Sequence, residues 1–400
     1  MGLSIMSTTT FRKTDRTSAA RTVPTTGNPT LLDTLTDAGL TGRGGAAFPA
    51  AVKVRAAWEN DAALIVNCCD GELGAVKDGW VVTHHLPQLL AGVDLVLPPA
   101  RGRRPHPPVV FAAHRGSATA DRLRAAGVDV LETPHRYVSS EESALVSLWH
   151  QGDARPLTKR APFVYGGRDS HGRRISPTLV LNAETVWRIA QLHERGVAWF
   201  TAQGTATEPG PRLLAVRGAV ASPGVWETAA GVPFTAVFEA AGGLLPEVEY
   251  VLVGGLGGVL LTRAEAESAT WSTPGLAPFG GTPGPGVIEA LPPERCPVDV
   301  VAELLTYGAG ESAGQCGPCM FGLPSLAAQW TALAQCRNGQ ALTSGIDRLR
   351  SSLGLVEGRG ACRHPDGVAR LAGSALHTLT PHLQAHATGR CPTRSLTNVH

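Results

Sequence analysis

Four hundred residues are more than one hydrophobic core organises, and the usual domain size predicts about three units. Hydrophobic residues at 43% and charged residues at 17% describe a folded globular chain and exclude an intrinsically disordered one. Thirty-five basic against 33 acidic side chains leave a net charge of +2, which excludes a field strong enough to recruit nucleic acid or an anionic membrane.

Residues 1–28 are rich in Ser, Thr and Arg and lack the apolar core of a secretory signal, so they read as a disordered leader. From 29 to 205 the pattern alternates: helix over 31–40, strand over 63–66, helix over 86–97, strand over 109–111, helix over 118–126 and strand over 128–131. That rhythm predicts an α/β domain with a parallel, helix-covered sheet. Residues 206–272 carry strands near 213–217 and 250–253 around a helix near 234–241, which predicts a small β-grasp-like α+β domain. Pro and Gly crowd residues 273–297, read as a connection. From 298 to 400 strand signals vanish, and helices over 298–305, 323–334, 341–353 and 367–379 predict a helical bundle. No apolar run approaches the roughly 18 residues needed to span a bilayer, so no direct membrane insertion is expected. Eight cysteines without an export signal point to thiols or metal ligands in a cytoplasmic protein.

Four stretches stand out. Gly42-Arg43-Gly44-Gly45-Ala46-Ala47-Phe48-Pro49, with Lys53 beyond, suits a phosphate cradle, because closely spaced glycines let backbone N–H groups approach an anion; it equally suits a plain turn. Asn67-Cys68-Cys69-Asp70-Gly71-Glu72, continuing to Lys77-Asp78, follows a buried strand, where open α/β sheets bind ligands; a solvated loop with paired charges fits as well. Tyr137-Val138-Ser139-Ser140-Glu141-Glu142 reads as a strand turning into a helix with serine caps, and capping alone accounts for its acidic residues. Glu311 to Cys319 contains Cys316 and Cys319 three apart, with Cys362 further on; such thiols hold an iron–sulfur cluster or, with His364, a Cys3His zinc ion. Cys68, Cys69 and Cys336 default to buried small hydrophobes, and Cys296 or Cys391 are candidates to complete the metal site.

Taken in order, these stretches, together with Leu181-Asn182-Ala183-Glu184-Thr185, resemble the NADH- and FMN-binding subunit of respiratory complex I and of NAD-linked hydrogenases and formate dehydrogenases, over roughly residues 29–392. The resemblance implies FMN held by Gly42, Arg43, Gly44, Lys53, Asn67 and Asp70, with Tyr137, Glu141, Glu142, Asn182 and Thr185 lining the site. It implies Glu72 beside the nicotinamide as the catalytic residue, and an iron–sulfur cluster on Cys316, Cys319 and Cys362. The implied activity is NAD(P)H dehydrogenase chemistry: oxidation through FMN, then single electrons to the cluster, to a ferredoxin-like or thioredoxin-fold partner, within a larger redox complex. The motifs also depart from the pattern: Ala313 stands where the first cluster cysteine belongs, Ala47 and Ser140 replace glycines, and Cys69 replaces an aspartate. A [3Fe–4S] cluster, or a [4Fe–4S] cluster completed by Ser312, His364 or a displaced cysteine, fits that change. A degenerate relative without flavin or NADH activity, acting as an iron–sulfur relay or scaffold, is the alternative.

Overall fold

The structure, a computed structural model, describes residues 12–13, 30–98, 106–158, 161–169 and 171–393. The leader expected over 1–28 therefore lies outside the described residues, except for Arg12–Lys13, which pair antiparallel with Glu227 and Trp226.

The first unit is a four-stranded parallel sheet in the order Val130–Thr133, Val109–His114, Ala63–Asn67, Thr178–Asn182. Its central strand is apolar on both faces. Leu64 and Val66 pack with Leu89 and Phe111 on one side, while Ile65 packs with Leu145 and Val146 on the other. Helices cover both sides, as a buried parallel sheet requires. The register pairs Asn67 with Asn182, so two of the predicted site residues finish side by side at the carboxyl edge.

The second unit is a six-stranded mixed sheet, Arg12–Lys13, Gly224–Ala229, Pro211–Gly218, Val287–Ala290, Tyr250–Val253, Val259–Thr262, packed on the Phe234–Ala240 helix. Residues 273–297, expected only to connect, thus supply an interior strand: Val287–Ala290 runs parallel to Pro211–Gly218 and antiparallel to Tyr250–Val253. Four residues between Pro/Gly turns carry too short a pattern to be recognised locally, and pairing on both sides makes the strand.

The third unit consists of helices Pro297–Gly310, Leu323–Gln335, Gly339–Val356 and His364–Ala387. The last continues through Pro381, beyond the end expected near residue 379. Proline removes one helical hydrogen bond, but burial of His382, Leu383, His386 and Ala387 carries the helix onward. The bundle rests on the outer face of the mixed sheet. Leu252, Leu256 and Leu260 join its core, whereas Val251, Val253 and Leu261 point to Phe234 and Trp271 beneath, a period-two division. Ser374 and Thr378 hydrogen-bond the Leu260 backbone and so cover the sheet edge. Among the described residues, no helix is long and apolar enough to cross a membrane.

Candidate functional site

A cavity of about 460 Å³, within the range of small-molecule sites, opens where the three units meet. Gly42, Gly44 and Lys53 line it from the first stretch, Asn67, Asp70 and Glu72 from the second, Tyr137, Glu141 and Glu142 from the third, and Asn182 and Thr185 from the strand end. Gly257 and Pro285 reach in from the second unit, and Cys362 and His364 from the bundle. Arg43 does not line it. Its guanidinium turns into a neighbouring pocket of about 250 Å³ and donates to Pro209 O at 3.0 Å, while its backbone N–H donates to Thr185 Oγ1 at 2.8 Å. Burial, with Arg212 next in effect, lowers the Arg43 pKa to about 9.

The loop needs glycine at position 45, where φ is 105° and a Cβ would sit 3.3 Å from the Gly284 backbone. Ala47, where the resembled motif has glycine, takes a left-handed φ of 49°. Lys53 Nζ lies 3.1 Å from Glu142 Oε1 and donates to Val180 O at 3.3 Å. Tyr137–Ser140 form a 3-10 turn, and the cap of the following helix is Glu141, not a serine: its carboxylate accepts from the Ser143 and Ala144 N–H groups at 2.8 and 3.2 Å. The capping account therefore holds for Glu141, which lines the cavity as well.

Behind the cavity lies a buried ionic network that the sequence reading named only as motif letters. Lys77 Nζ, 2% exposed, contacts Asp78 Oδ1 at 3.0 Å, Glu184 Oε2 at 3.1 Å and Asn182 Oδ1 at 3.0 Å. Asn182 Nδ2 donates to Asp78 Oδ2 at 2.6 Å, which orients its carboxamide. Burial alone would raise the Glu184 carboxyl, but Lys77, Arg188 and Arg43 hold it below its usual value. A signal was available: an ionic residue inside an apolar helix start must find a partner or remain uncharged. Asp70, at a left-handed φ of 49°, accepts from the Asp78 and Gly79 N–H groups at 2.8 and 2.7 Å and so caps the start of the Lys77–His84 helix. Burial, then the nearby Asp78 charge, pushes the Asp70 carboxyl up to about 7.

Glu72 and Tyr137 join the units. Glu72 accepts from Tyr137 OH at 2.6 Å and from the Leu73 and Leu256 N–H groups at 2.9 and 2.7 Å. Burial raises its pKa, and these donors oppose the rise. The Tyr137 backbone N–H donates to Glu311 Oε2 at 2.7 Å, and its ring lies 5.2 Å from the His364 ring. One tyrosine thus ties the second stretch to the cysteine-bearing one.

Cys319 sits in a π-helical turn, Pro318–Gly322, a feature frequent at functional sites. Its thiol is in hydrogen-bond contact with Ser312 and Cys316. Burial pushes it up to about 12, with Cys316 and Cys362 adding to the rise. Burial likewise pushes the Cys362 thiol up to about 11, against the His364 N–H that donates to it. Thiols this reluctant to ionise become thiolates only when a bound cation takes the proton's place. His364 Nε2 donates to Gly308 O at 2.7 Å, which leaves Nδ1 a buried acceptor with no partner among the described residues. The displaced cysteines are elsewhere. Cys68 and Cys69 are buried in the first unit, Cys336 contacts Asn338 O, and Cys296 and Cys391 gather around His382 and His386.

Residues 35–191 match the family described as the Nuo51 FMN-binding domain, and residues 299–386 match the NADH-ubiquinone oxidoreductase-F iron-sulfur binding region. The chain is a homologue of the F-type subunit of complex I. It is 27% identical to the NADH-quinone oxidoreductase F-type subunit 2 of Rhizobium meliloti (strain 1021), over 90% of each chain. It is 25% identical to the NADP-reducing hydrogenase subunit HndC of Solidesulfovibrio fructosivorans, over 90% of this chain and 77% of that one. Among solved structures, the NAD+-reducing [NiFe]-hydrogenase in the air-oxidized state superposes with a TM-score of 0.72 at 29% identity, covering 90% of this chain but 62% of the hydrogenase chain. This F-type homologue accordingly has an FMN-binding region over the first unit and an iron–sulfur binding region over the bundle.

Proposed function

We propose that the chain is an electron-input subunit that oxidises NADH at FMN bound in the central cavity and delivers single electrons to an iron–sulfur cluster on Cys316, Cys319 and Cys362. The observation that carries this reading is that Cys362 and Lys53 line one cavity, so the flavin-motif loop and the thiol site share a wall. The residues fit the flavin. Lys53 and the glycine loop offer positive charge and open backbone to a phosphate, while Asn67 and Asn182, at paired strand ends, line the wall for a ring. FMN supplies the chemistry the protein lacks, accepting two electrons as hydride and returning them one at a time.

The chain's own groups position and insulate. Glu141 and Glu142 keep the helix start and Lys53 in place, the Lys77 network holds Asn182, and Tyr137 couples Glu72 to Glu311. Glu72, with its carboxylate held by donors from two units, is placed to orient the nicotinamide end of NADH. Ser312, in contact with Cys319, is the group at hand for the cluster position that Ala313 leaves open. Met320 and Phe321, 50% and 72% exposed immediately after Cys319, offer an apolar face to a ferredoxin-like or thioredoxin-fold acceptor. The second unit, a mixed sheet around a short helix, is β-grasp-like in this reading.

The test is an anaerobic purification of the full chain with flavin, iron and sulfide analysis, followed by NADH titration. Bound FMN bleached by NADH is expected. Protein that neither retains FMN nor is reduced by NADH or NADPH would overturn the catalytic reading, and iron and sulfide without flavin would make the chain a relay or scaffold.

A further inference from the structure

Away from the cavity, a second thiol site is assembled. One ligand atom each from Cys296, His382, His386 and Cys391 lies within 4.8 Å of all the others. Both histidines and Cys296 are buried. Cys296 Sγ is 3.7 Å from His382 Nε2 and 3.5 Å from His386 Nε2, and Cys391 Sγ is 3.8 Å from His382 Nε2. A zinc ion with bonds of about 2.3 Å to sulfur and 2.0–2.1 Å to nitrogen places tetrahedral S and N ligands roughly 3.6 Å apart. We propose that these four residues bind one zinc ion in a structural Cys2His2 site.

The chemistry of the donors supports a single ion. Two thiolates and two neutral imidazoles cancel the charge of Zn²⁺, so the buried site carries no net charge. A cubane cluster would spread its four ligands around a larger body, whereas these converge on one point. His386 Nδ1 lies 3.2 Å from Ala334 O, so with that nitrogen protonated Nε2 presents its lone pair to the site, the usual outer support of a metal-bound histidine. Cys296 stands at the N-cap of the Pro297–Gly310 helix, the end whose dipole favours an anionic ligand. His382 and His386 are four apart on one helix, the spacing that puts two imidazoles on one face.

The site lies at the opposite end of the His364–Ala387 helix from Cys362. Its histidines fall within the matched residues 299–386, whereas Cys296 and Cys391 fall outside them. An ion here clasps the residue just before the bundle's first helix to the segment beyond its last, closing a loop from 296 to 391 as a crosslink would.

Zinc-edge X-ray absorption and metal analysis of the full chain, expressed with zinc and iron, test this directly. The expected result is about one zinc per chain with two sulfur and two nitrogen neighbours at tetrahedral distances. In variants, Cys296→Ser with Cys391→Ser loses zinc and keeps iron, while Cys316→Ser with Cys319→Ser loses iron and keeps zinc. Absence of zinc from the unmodified protein overturns the proposal, as does any other ligand set or zinc retained by the Cys296/Cys391 variant. If that variant does not fold, the absorption measurement on the unmodified chain decides alone.

Discussion

The two ends of the His364–Ala387 helix, roughly 35 Å apart along its axis, use cysteine in opposite ways. At the start, Cys362 and His364 face an open cavity, next to Cys319 in a π-helical turn and an exposed apolar face. At the far end, Cys296 and Cys391 meet two histidines in a compact cluster of ligands. An electron-transfer centre needs access to a donor and an acceptor, so its thiols sit between a pocket and a surface. A structural ion needs only closure, and its ligands come from residues far apart in sequence.

That comparison can be broken first at the cysteines. Cys319→Ser combined with Cys362→Ser should abolish iron and acid-labile sulfide, measured by chemical analysis, while bound FMN persists; loss of flavin as well would make the two cofactor sites one folding unit. Next, Lys77→Met leaves Asp78 and Glu184 buried without their cation, at a cost of about 3–5 kcal/mol, read from denaturant unfolding of the full chain. Metal at the far end should be unaffected, because the two sites belong to different units. Tyr137→Phe removes the hydroxyl that donates to Glu72, for about 2 kcal/mol, and should weaken NADH binding more than FMN binding in separate titrations.

The smallest effect expected is one of pH. Asp70, pushed up to about 7 when folded, holds its proton more tightly than in the unfolded chain, where carboxyls titrate near 3.9. Its contribution to stability is therefore greatest when protonated and declines as pH rises from about 4 to about 7. Asp70→Asn should flatten stability against pH across that window, and because its one carboxamide oxygen replaces the two that accept from the Asp78 and Gly79 N–H groups, it should lower stability by a similar amount at every pH; an unchanged slope would assign the dependence to another group.

Much of the cavity was legible in the sequence, because its residues are grouped in short runs at strand ends and helix starts. Lys53, Asn67, Asp70, Glu72 and Tyr137 all line it. Arg43 was misleading, since its place inside a glycine loop says nothing of the direction in which its side chain turns. The Val287–Ala290 strand was hidden between Pro/Gly turns, and only pairing on both edges reveals it. The far-end histidines lie beyond the helix expected over 367–379, which packing extends through Pro381 to Ala387.

The sequence alone determined the alternation that builds the parallel sheet, the order of the motifs, the thiol pair at 316 and 319, and the helical character of the last quarter, since each is a matter of neighbours within a few residues. Only the tertiary structure decided which wall Cys362 shares with Lys53, where Glu72 sends its carboxylate, and that Cys296 and Cys391 belong with His382 and His386 rather than with the other thiols. Local pattern reports what one segment favours, whereas ligand convergence depends on how segments far apart in the chain bury one another's surfaces.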